Sequence, residues 1–114
     1  MARYIPKQGD FVVVSLDPQS GHEQKGRRPA LVVSTTLFNQ RTGLAMLCPI
    51  TNTHRNFPLH VPLPTTSSLT GYIMVEQIKS VDYASRRAKF FEKAPQAVID
   101  EVLAMLDACI YPSS

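Results

Sequence analysis

Most of the chain consists of short apolar stretches separated by turn-forming residues. Residues 11–16 are rich in β-branched side chains and lie between Gly9-Asp10 and Asp17-Pro18, which predicts a strand bounded by two turns. Thr42-Gly43 is a further turn signal, and a strand is predicted directly after it. The same pattern predicts strands at residues 29–35, 44–50, 71–78 and 87–91.

Residues 57–63 alternate apolar and other side chains with a period of two, but two of them, Pro58 and Pro62, are prolines. Proline has no N–H to donate to a neighbouring strand, so prolines within a sheet are found mainly at its edges. An edge strand is therefore predicted here.

The last part of the chain has a different period. Apolar residues recur at helical spacing from Pro95 onward, which predicts an amphipathic helix over residues 95–110 whose stripe faces the core. That stripe is Ile99, Val102, Leu103, Leu106 and Ile110. Short, regularly spaced strands and one helix indicate an α+β class that is mainly β, with a small barrel or strongly bent sheet.

Bulk properties limit the alternatives. A chain of 114 residues is expected to form a single domain over residues 1–114. No apolar run approaches the length of a membrane span, and no signal peptide is visible, so a cytoplasmic protein is expected. Cys48 and Cys109 are then expected to be reduced and packed, and no spacing of cysteines and histidines indicates a metal site. The net charge of +3 is a mild preference for polyanions.

The candidate functional residues lie in a predicted polar, glycine-flanked loop that leads into the second predicted strand. It contains Glu23, Lys25 and Arg27, and Arg28 stands where the loop becomes strand. A guanidinium at such a position suits a phosphate, because its planar fork offers paired donors. Taken alone, this pattern is weak, since a surface ion pair between Glu23 and Arg28 is the more common explanation of it.

A longer sequence pattern supports a functional role for this segment. The chain reads Gly9-Asp10, Asp17-Pro18 and then Gly21-x-Glu23-Gln24-x-Gly26-x-Arg28-Pro29-Ala30-Leu31-Val32-Val33-Ser34. Phe38-Asn39, Thr42-Gly43, Pro49-Ile50-Thr51 and Glu76-Gln77-Ile78-Lys79-Ser80-Val81-Asp82 follow in order. This arrangement, which covers the chain from Gly9 to the final helix, resembles the MazF/PemK/Kid toxins, and its Ser-Gly-His-Glu-Gln loop resembles their ChpB-like branch.

The resemblance implies an SH3-like barrel with a C-terminal helix, acting as a homodimer. It also implies metal-independent, cofactor-free cleavage of single-stranded RNA at a short motif. The expected partner is a small antitoxin whose extended acidic tail covers the RNA groove, and the complex with it could bind operator DNA.

Carried over residue by residue, the resemblance assigns catalysis to Arg28, Thr51 and Glu23, and substrate contact to Gln24 and Gln77. Arg28 would stabilise charge on the phosphorane, and Thr51 would donate its hydroxyl to a non-bridging oxygen. Glu23 has two open roles, general base or a group that orients Arg28. His22 competes with it for proton transfer, because imidazole titrates near neutral pH.

Other assignments are less specific. Lys25 and Ser80 are added as substrate-binding candidates, although a cross-strand hydrogen bond explains Ser80 and Gln77 nearly as well. His54 lies in a polar loop and could touch RNA, whereas His60 is expected to be solvated on the polar side of the edge strand.

Two rival functions use the same architecture. One is a toxin that binds gyrase without enzymatic activity, as CcdB-like proteins do, and the other is a catalytically silent nucleic-acid-binding barrel. Because small barrels host many functions, the fold alone cannot separate the three. The presence of Glu23, Arg28 and Thr51 together favours the ribonuclease.

Overall fold

The polypeptide is described by a computed structural model over residues 3–16 and 26–112. Its elements follow one another as β1 (Asp10–Ser15), β2 (Arg27–Val32), α1 (Thr36–Thr42), β3 (Leu44–Thr51), β4 (His60–Pro62), β5 (Tyr72–Met74), the 3-10 turn η1 (Val75–Gln77), β6 (Lys79–Asp82), β7 (Lys89–Lys93) and α2 (Gln96–Ile110). The predicted strands before residue 71 and the final helix are present, with ends that differ by a few residues.

An antiparallel sheet in the order β4-β5-β3-β2-β1-β7 carries the fold. β3 is its longest strand, and β6 also pairs with it. β5 pairs with the end of β3, at Ile50 and Thr51, whereas β6 pairs with its beginning, from Leu44 to Leu47. β3 therefore belongs to two consecutive parts of a bent sheet.

The prediction of one strand over residues 71–78 was wrong. Both β5 and β6 pair with β3, but at opposite ends of it, so the chain must step from one position to the other. The 3-10 turn Val75–Gln77 makes that step, and Val75 is buried at its start. A pattern of apolar residues cannot reveal this change of partner position, because both strands present apolar residues to the core.

The strands bury side chains on both faces, which explains the unbroken apolar runs. Leu31, Cys48 and Ile50 join the cluster beneath α2, whereas Ala30 and Leu47 belong to a second cluster on the other side. Successive side chains of a strand point to opposite faces. A sheet covered on both faces therefore needs apolar residues at consecutive positions.

The helix α1 was not predicted from the sequence. Thr35 caps its N-terminus by accepting a hydrogen bond from the Phe38 N–H at 3.2 Å, and Gly43 ends it with a φ of +74°. Asn39 is completely buried on this helix, donates to the Pro6 carbonyl at 2.7 Å, and accepts from the Ser34 hydroxyl at 2.5 Å. These bonds hold the helix in place, although its exterior is largely polar.

α2 matches its prediction, with Pro95 at the N-cap position. Val98, Ile99 and Val102 are buried, and Leu103 and Leu106 pack against the same cluster. Ile110, expected in the buried stripe, is 71% exposed. The buried positions lie in the first half of the helix, so its last turn extends past the core. No helix among residues 3–16 and 26–112 is long and apolar enough to cross a membrane.

β4 lies at one end of the sheet order, which confirms the predicted edge strand, although it is shorter than residues 57–63. His60 on this strand was expected to be solvated, and that was wrong. Its side chain is only 4% exposed, and its Nε2 lies 2.9 Å from the Glu76 carboxylate. Phe57 contacts the imidazole edge-on, with ring centroids 5.2 Å apart, and together these groups cover it.

The two cysteines are free, as predicted. Cys48 is buried within the sheet, and burial raises the pKa of its thiol to about 12, with a smaller contribution from the nearby Glu76 carboxylate. It is therefore a protonated, unreactive thiol at neutral pH. Cys109 was expected to be packed as well, but it is exposed on α2.

Candidate active site

An open cleft lies where the ends of several strands meet. Its volume is about 620 Å³, within the usual range for ligand sites. Its lining comes from the residue after β1, from β2, from the end of β3 and the two residues after it, from the end of β5, from η1 and from the start of β6. The lining residues are Leu16, Arg28, Pro29, Pro49, Ile50, Thr51, Asn52, Thr53, Met74, Gln77 and Lys79. Arg28, Thr51 and Gln77, far apart in sequence, are thereby brought together.

The side chains of Arg27 and Arg28 lie on opposite faces of β2, because consecutive residues of a strand point in opposite directions. The Arg27 guanidinium donates to the Val13 carbonyl at 3.0 Å and to the Arg87 carbonyl at 2.8 Å. Arg28 is exposed, lines the cleft, and forms no hydrogen bond or ion pair with any residue in 3–16 or 26–112. Arg27 thus anchors the strand, while Arg28 offers its donors to the cleft.

Thr51 is the last residue of β3 and pairs with Tyr72 of β5. The β2–β3 ladder ends at Ala30 and Pro49, and both Arg28, two residues before Ala30, and Thr51, two residues after Pro49, line the cleft. The Thr51 hydroxyl accepts a hydrogen bond from the Thr53 N–H at 3.1 Å, so its proton can be directed elsewhere.

Gly71 packs directly against this position. Its φ is +120°, and a Cβ placed on it would lie 2.3 Å from the Thr51 carbonyl oxygen and 3.0 Å from the Asn52 side-chain oxygen. Such distances are far inside van der Waals contact. Glycine is therefore needed for β5 to approach the end of β3, which holds Thr51 at the cleft.

Gln77 and Lys79 form another wall of the cleft. Gln77 was a predicted substrate contact and lines the cleft from the end of η1. Lys79 was not singled out as a site residue, although it lies within the block of residues 76–82 that carried the family resemblance. Ser80, predicted instead, is exposed on β6 opposite Met46 and is not among the lining residues. Alternation along β6 separates Lys79 from Ser80.

The charges of the cleft favour an anion. Arg28 and Lys79 are cationic, and none of the described lining residues is a carboxylate. Thr51, Asn52, Thr53 and Gln77 add neutral hydrogen-bonding groups. This combination suits a phosphodiester with attached bases, since the cations contact phosphate and the amides and hydroxyls contact oxygens and base edges.

Three residues of the predicted site, Glu23, Gln24 and Lys25, lie outside the described part of the chain, and so does His22, the competing candidate for proton transfer. The two ends of that segment are described. The Leu16 N–H donates to the Gly26 carbonyl at 3.2 Å, and Leu16 lines the cleft. The two residues that flank this segment are therefore hydrogen-bonded to each other, and Leu16 lies at the cleft.

No group of three or more His, Cys, Asp or Glu side chains within residues 3–16 and 26–112 could hold a metal ion. None of the cleft's described lining residues is a His, Cys, Asp or Glu. The groups that the described part of the cleft offers to a ligand are thus mainly the cations of Arg28 and Lys79 and the hydroxyl groups of Thr51 and Thr53.

The loop before Gly71 is fastened to β7 by a carboxylate. Glu92 accepts hydrogen bonds from the Ser67 hydroxyl at 2.6 Å and from the Ser68 N–H at 3.2 Å. At the far end of this loop, the Thr70 hydroxyl donates to the side-chain oxygen of Asn52 at 3.0 Å. Glu92 therefore supports the segment that packs against the end of β3.

Acidification should weaken this support. The hydrogen bond from Ser67 lowers the pKa of Glu92 below its ordinary value of 4.5, the bonds from Ser68 act in the same direction, and partial desolvation opposes them. A carboxylate with a lowered pKa in the folded state contributes stability above its unfolded pKa and loses it as the pH falls through the folded pKa. We expect Glu92→Gln to be less stable than wild type at pH 7, with the difference shrinking below about pH 4.5. Urea unfolding at several pH values measures this, and a difference that stays constant from pH 7 to pH 3 would contradict it.

With this geometry in place, comparison with known proteins decides the family. A model of the PemK-like, MazF-like toxins of type II toxin–antitoxin systems matches residues 7–110. The chain belongs to this family. The predicted family is therefore confirmed, and with it the predicted class of an endoribonuclease toxin.

Individual members of the toxin family agree over most of their length. The endoribonuclease toxin ChpB of Escherichia coli (strain K12) is 39% identical over 109 residues, which cover 91% of this chain and 93% of ChpB. The endoribonuclease toxin MazF of the same strain is 35% identical over 88 residues, covering 77% of this chain and 78% of MazF. A crystal structure of MazE–MazF from Deinococcus radiodurans is 36% identical, with a TM-score of 0.87, and covers 96% of this chain and all of that one. The predicted fold class, a small barrel-like sheet with a C-terminal helix, is confirmed.

Proposed function

We propose that this toxin cleaves single-stranded RNA, mRNA included, without a metal ion or other cofactor, by attack of the 2′-hydroxyl on the adjacent phosphorus. The observation that carries the proposal is the cleft in which Arg28, Thr51, Gln77 and Lys79 meet. These residues form a cationic, carboxylate-free surface within the described residues, and an oligonucleotide backbone fits such a surface.

RNA supplies its own nucleophile, which limits what the protein must do. In-line attack by the 2′-oxygen forms a bond to phosphorus and breaks the bond from phosphorus to the 5′-oxygen. The products are a 2′,3′-cyclic phosphate and a 5′-hydroxyl end, after one proton leaves the 2′-hydroxyl and one reaches the 5′-oxygen. The protein must align the three atoms, stabilise charge on the phosphoryl oxygens and move these protons.

Arg28 and Thr51 stabilise the charge that develops on phosphorus. A guanidinium stays protonated at neutral pH and presents paired donors that fit two phosphoryl oxygens. Arg28 is exposed and forms no bond with any other described residue, so these donors are available. Thr51 accepts from Thr53 and can direct its own O–H to a non-bridging oxygen. Lys79, which also lines the cleft, adds positive charge.

Proton removal is assigned in this proposal to a residue of the segment 17–25. None of the described lining residues has a carboxylate or an imidazole, so the base comes from beyond them or from solvent. Glu23 is the proposed base. Its alternative role is to orient Arg28, because neighbouring cations favour the charged carboxylate while burial under RNA favours the neutral acid. His22 is the second candidate for proton transfer.

Substrate contacts extend from the reacting phosphate along the cleft. Gln77 reaches it from η1 and can bond base edges, and Lys79 contacts backbone phosphate. Gln24 and Lys25 are proposed to contact RNA as well, and Ser80 is proposed to act further along β6, outside the cleft. The whole chain, residues 1–114, is taken as one toxin domain acting in the cytoplasm, where mRNA is found.

The proposed partner is a cognate antitoxin with an extended acidic tail, and the toxin is proposed to act as a homodimer. The relative from Deinococcus radiodurans is a MazE–MazF structure. Arg28 and Lys79 offer the positive charge that an acidic tail would occupy, so antitoxin binding and RNA binding would compete for one surface. The toxin–antitoxin complex is proposed to bind operator DNA.

Incubation of the purified toxin with a mixed single-stranded RNA in EDTA tests this function, with analysis of the ends produced. We expect cuts at a short motif that leave cyclic phosphate and 5′-hydroxyl ends. Cleavage that requires added Mg²⁺, or that leaves 5′-phosphate ends, would contradict the mechanism. A folded protein that cuts none of a diverse set of RNAs would favour the gyrase-binding or silent binding alternatives.

A further inference from the structure

Next to the cleft, two aromatic rings form a stack that the cleavage chemistry leaves unused. The imidazole of His54 lies nearly parallel to the phenol ring of Tyr72, with an interplanar angle of 13° and ring centroids 5.0 Å apart. Tyr72 is half-buried and belongs to β5, whereas His54 is exposed in the loop after β3. One ring is thus held by the sheet, and the other lies over it toward solvent.

The position of this stack follows from the sheet register. Tyr72 pairs with Thr51 on one side and with Pro62 on the other. Thr53, which lines the cleft and donates to the Thr51 hydroxyl, comes directly before His54. The stack therefore begins one cross-strand neighbour away from Thr51, next to the cleft.

The loop that carries His54 is held at its base. The Asn52 side chain accepts from Thr70, and Gly71 packs against the Thr51 carbonyl. His54 itself forms no hydrogen bond or ion pair with residues of the two described ranges, and Tyr72 is its described ring contact. One face of the imidazole rests on Tyr72, and its exposure leaves the other face accessible.

Proteins that bind single-stranded nucleic acids commonly place flat, exposed aromatic rings beside a phosphate-binding surface, where the bases stack on them. Bases that leave a helix stack on aromatic side chains, and this contact tolerates any base because every base has a π-face. The spacing between stacked rings in the His54–Tyr72 pair is suited to extension by a third ring, since offset parallel stacking is favoured for aromatic groups.

We propose that the outer face of His54 binds a nucleobase of the RNA next to the cleaved phosphate, so that base, His54 and Tyr72 form one continuous stack. The inference rests on the proposed ribonuclease function and assigns it a base-binding subsite. His54 is a substrate-binding residue in this scheme, and Tyr72 is a positioning residue that acts through His54. By holding one base, the stack aligns the phosphate with Arg28 and Thr51.

The test compares wild type, His54→Ala and His54→Phe on a short RNA with one cleavage site. Matched RNAs carry an abasic nucleotide at each position around that site in turn. We expect His54→Ala to lower kcat/KM on the intact RNA by about 5- to 100-fold, mainly through KM, which is the range for loss of one base stack. His54→Phe should keep most of the activity, because it retains a flat ring.

The abasic series identifies the stacked base. At one position the abasic RNA should be a poor substrate for wild type, and His54→Ala should cause no further loss with it. Tyr72→Leu should reduce the effect of His54 without changing the chemistry of the products. Circular dichroism and thermal unfolding verify that each variant is folded.

Three results would overturn the subsite. His54→Ala could cleave the intact RNA as well as wild type, or its loss could be equal on the intact RNA and on every abasic RNA, which is the behaviour of a purely structural residue. Failure of His54→Phe to retain activity would also contradict a stacking role. If wild type itself cleaved no RNA, the proposed ribonuclease function would be wrong. That result is distinguishable from the three above, because each of them requires an active wild-type protein.

Discussion

Arg28→Ala is expected to lower cleavage of single-stranded RNA by about 10²–10³-fold while leaving the fold unchanged, since removing one preorganised charge donor typically has this effect. The Arg28 side chain is exposed, faces the cleft, and bonds with no other described residue. Substitutions of such surface groups change the free energy of unfolding by about 0.5 kcal/mol or less. Single-turnover cleavage of a defined RNA measures the rate, and urea unfolding measures the stability.

Arg27 is the matched control, because it is the same residue type one position earlier on β2. Its guanidinium donates to the Val13 and Arg87 carbonyls, so Arg27→Ala removes contacts that tie β2 to its surroundings. We expect a loss of about 1–3 kcal/mol in the free energy of unfolding, typical of hydrogen bonds from a charged donor. The rate of the folded fraction should fall far less than in Arg28→Ala. Equal rates for wild type and Arg28→Ala would move the reacting centre away from this cleft.

Gly71→Ala is expected to damage both stability and activity. The new Cβ would lie 2.3 Å from the Thr51 carbonyl oxygen, so β3 and β5 must separate, and the φ of +120° is rarely adopted by an L-residue. Backbone strain of this kind costs about 1–3 kcal/mol, and steric overlap adds to it. Because the displaced group is Thr51, we expect kcat to fall by at least about ten-fold, as small shifts of aligned groups are costly.

Gly43→Ala is the control that separates the effect of backbone strain from the effect of the steric clash in Gly71→Ala. Gly43 also has a positive φ, +74°, but a Cβ there meets nothing within 4 Å, and it ends α1 rather than facing the cleft. We expect it to lose about 1–2 kcal/mol from backbone strain alone and to keep wild-type kcat. Thermal unfolding and single-turnover rates of both variants provide the comparison. A Gly71→Ala protein with normal kcat would show that Thr51 need not be held where the structure places it.

Local pattern was sufficient for most of the secondary structure. β1, β3, β7 and α2 were expected from apolar runs, turn residues and helical spacing, because these are properties of consecutive residues. The edge position of β4 also followed from its prolines, since a missing donor is a local property. The sequence carries no periodic signal for helix α1, because its seven residues bury one asparagine rather than an apolar stripe.

The site was only partly predictable. Arg28, Thr51 and Gln77 were named from the order and spacing of motifs, which resemblance to a family can supply. Ser80 was the predicted residue, but Lys79 is the one that lines the cleft. Which of two consecutive residues on β6 faces the cleft depends on the pairing register with β3, and the sequence of β6 alone does not give that register. His60 was thought to be solvated, but Phe57 and Glu76, three residues before it and sixteen after it, cover its ring.

The amino-acid sequence by itself determined the class of the fold, the family and the residue types available for phosphate chemistry, because periodicity and motif spacing are carried by neighbours in the chain. Tertiary structure alone decided that β3 pairs with β6 at its start and with β5 at its end, and that Gly71 lies against Thr51. It decided as well that Arg27 is hydrogen-bonded to backbone carbonyls whereas Arg28 lines the cleft. It also decided that His54 rests on Tyr72. Each of these depends on contacts between residues distant in sequence, whose geometry arises only when the sheet closes around its core.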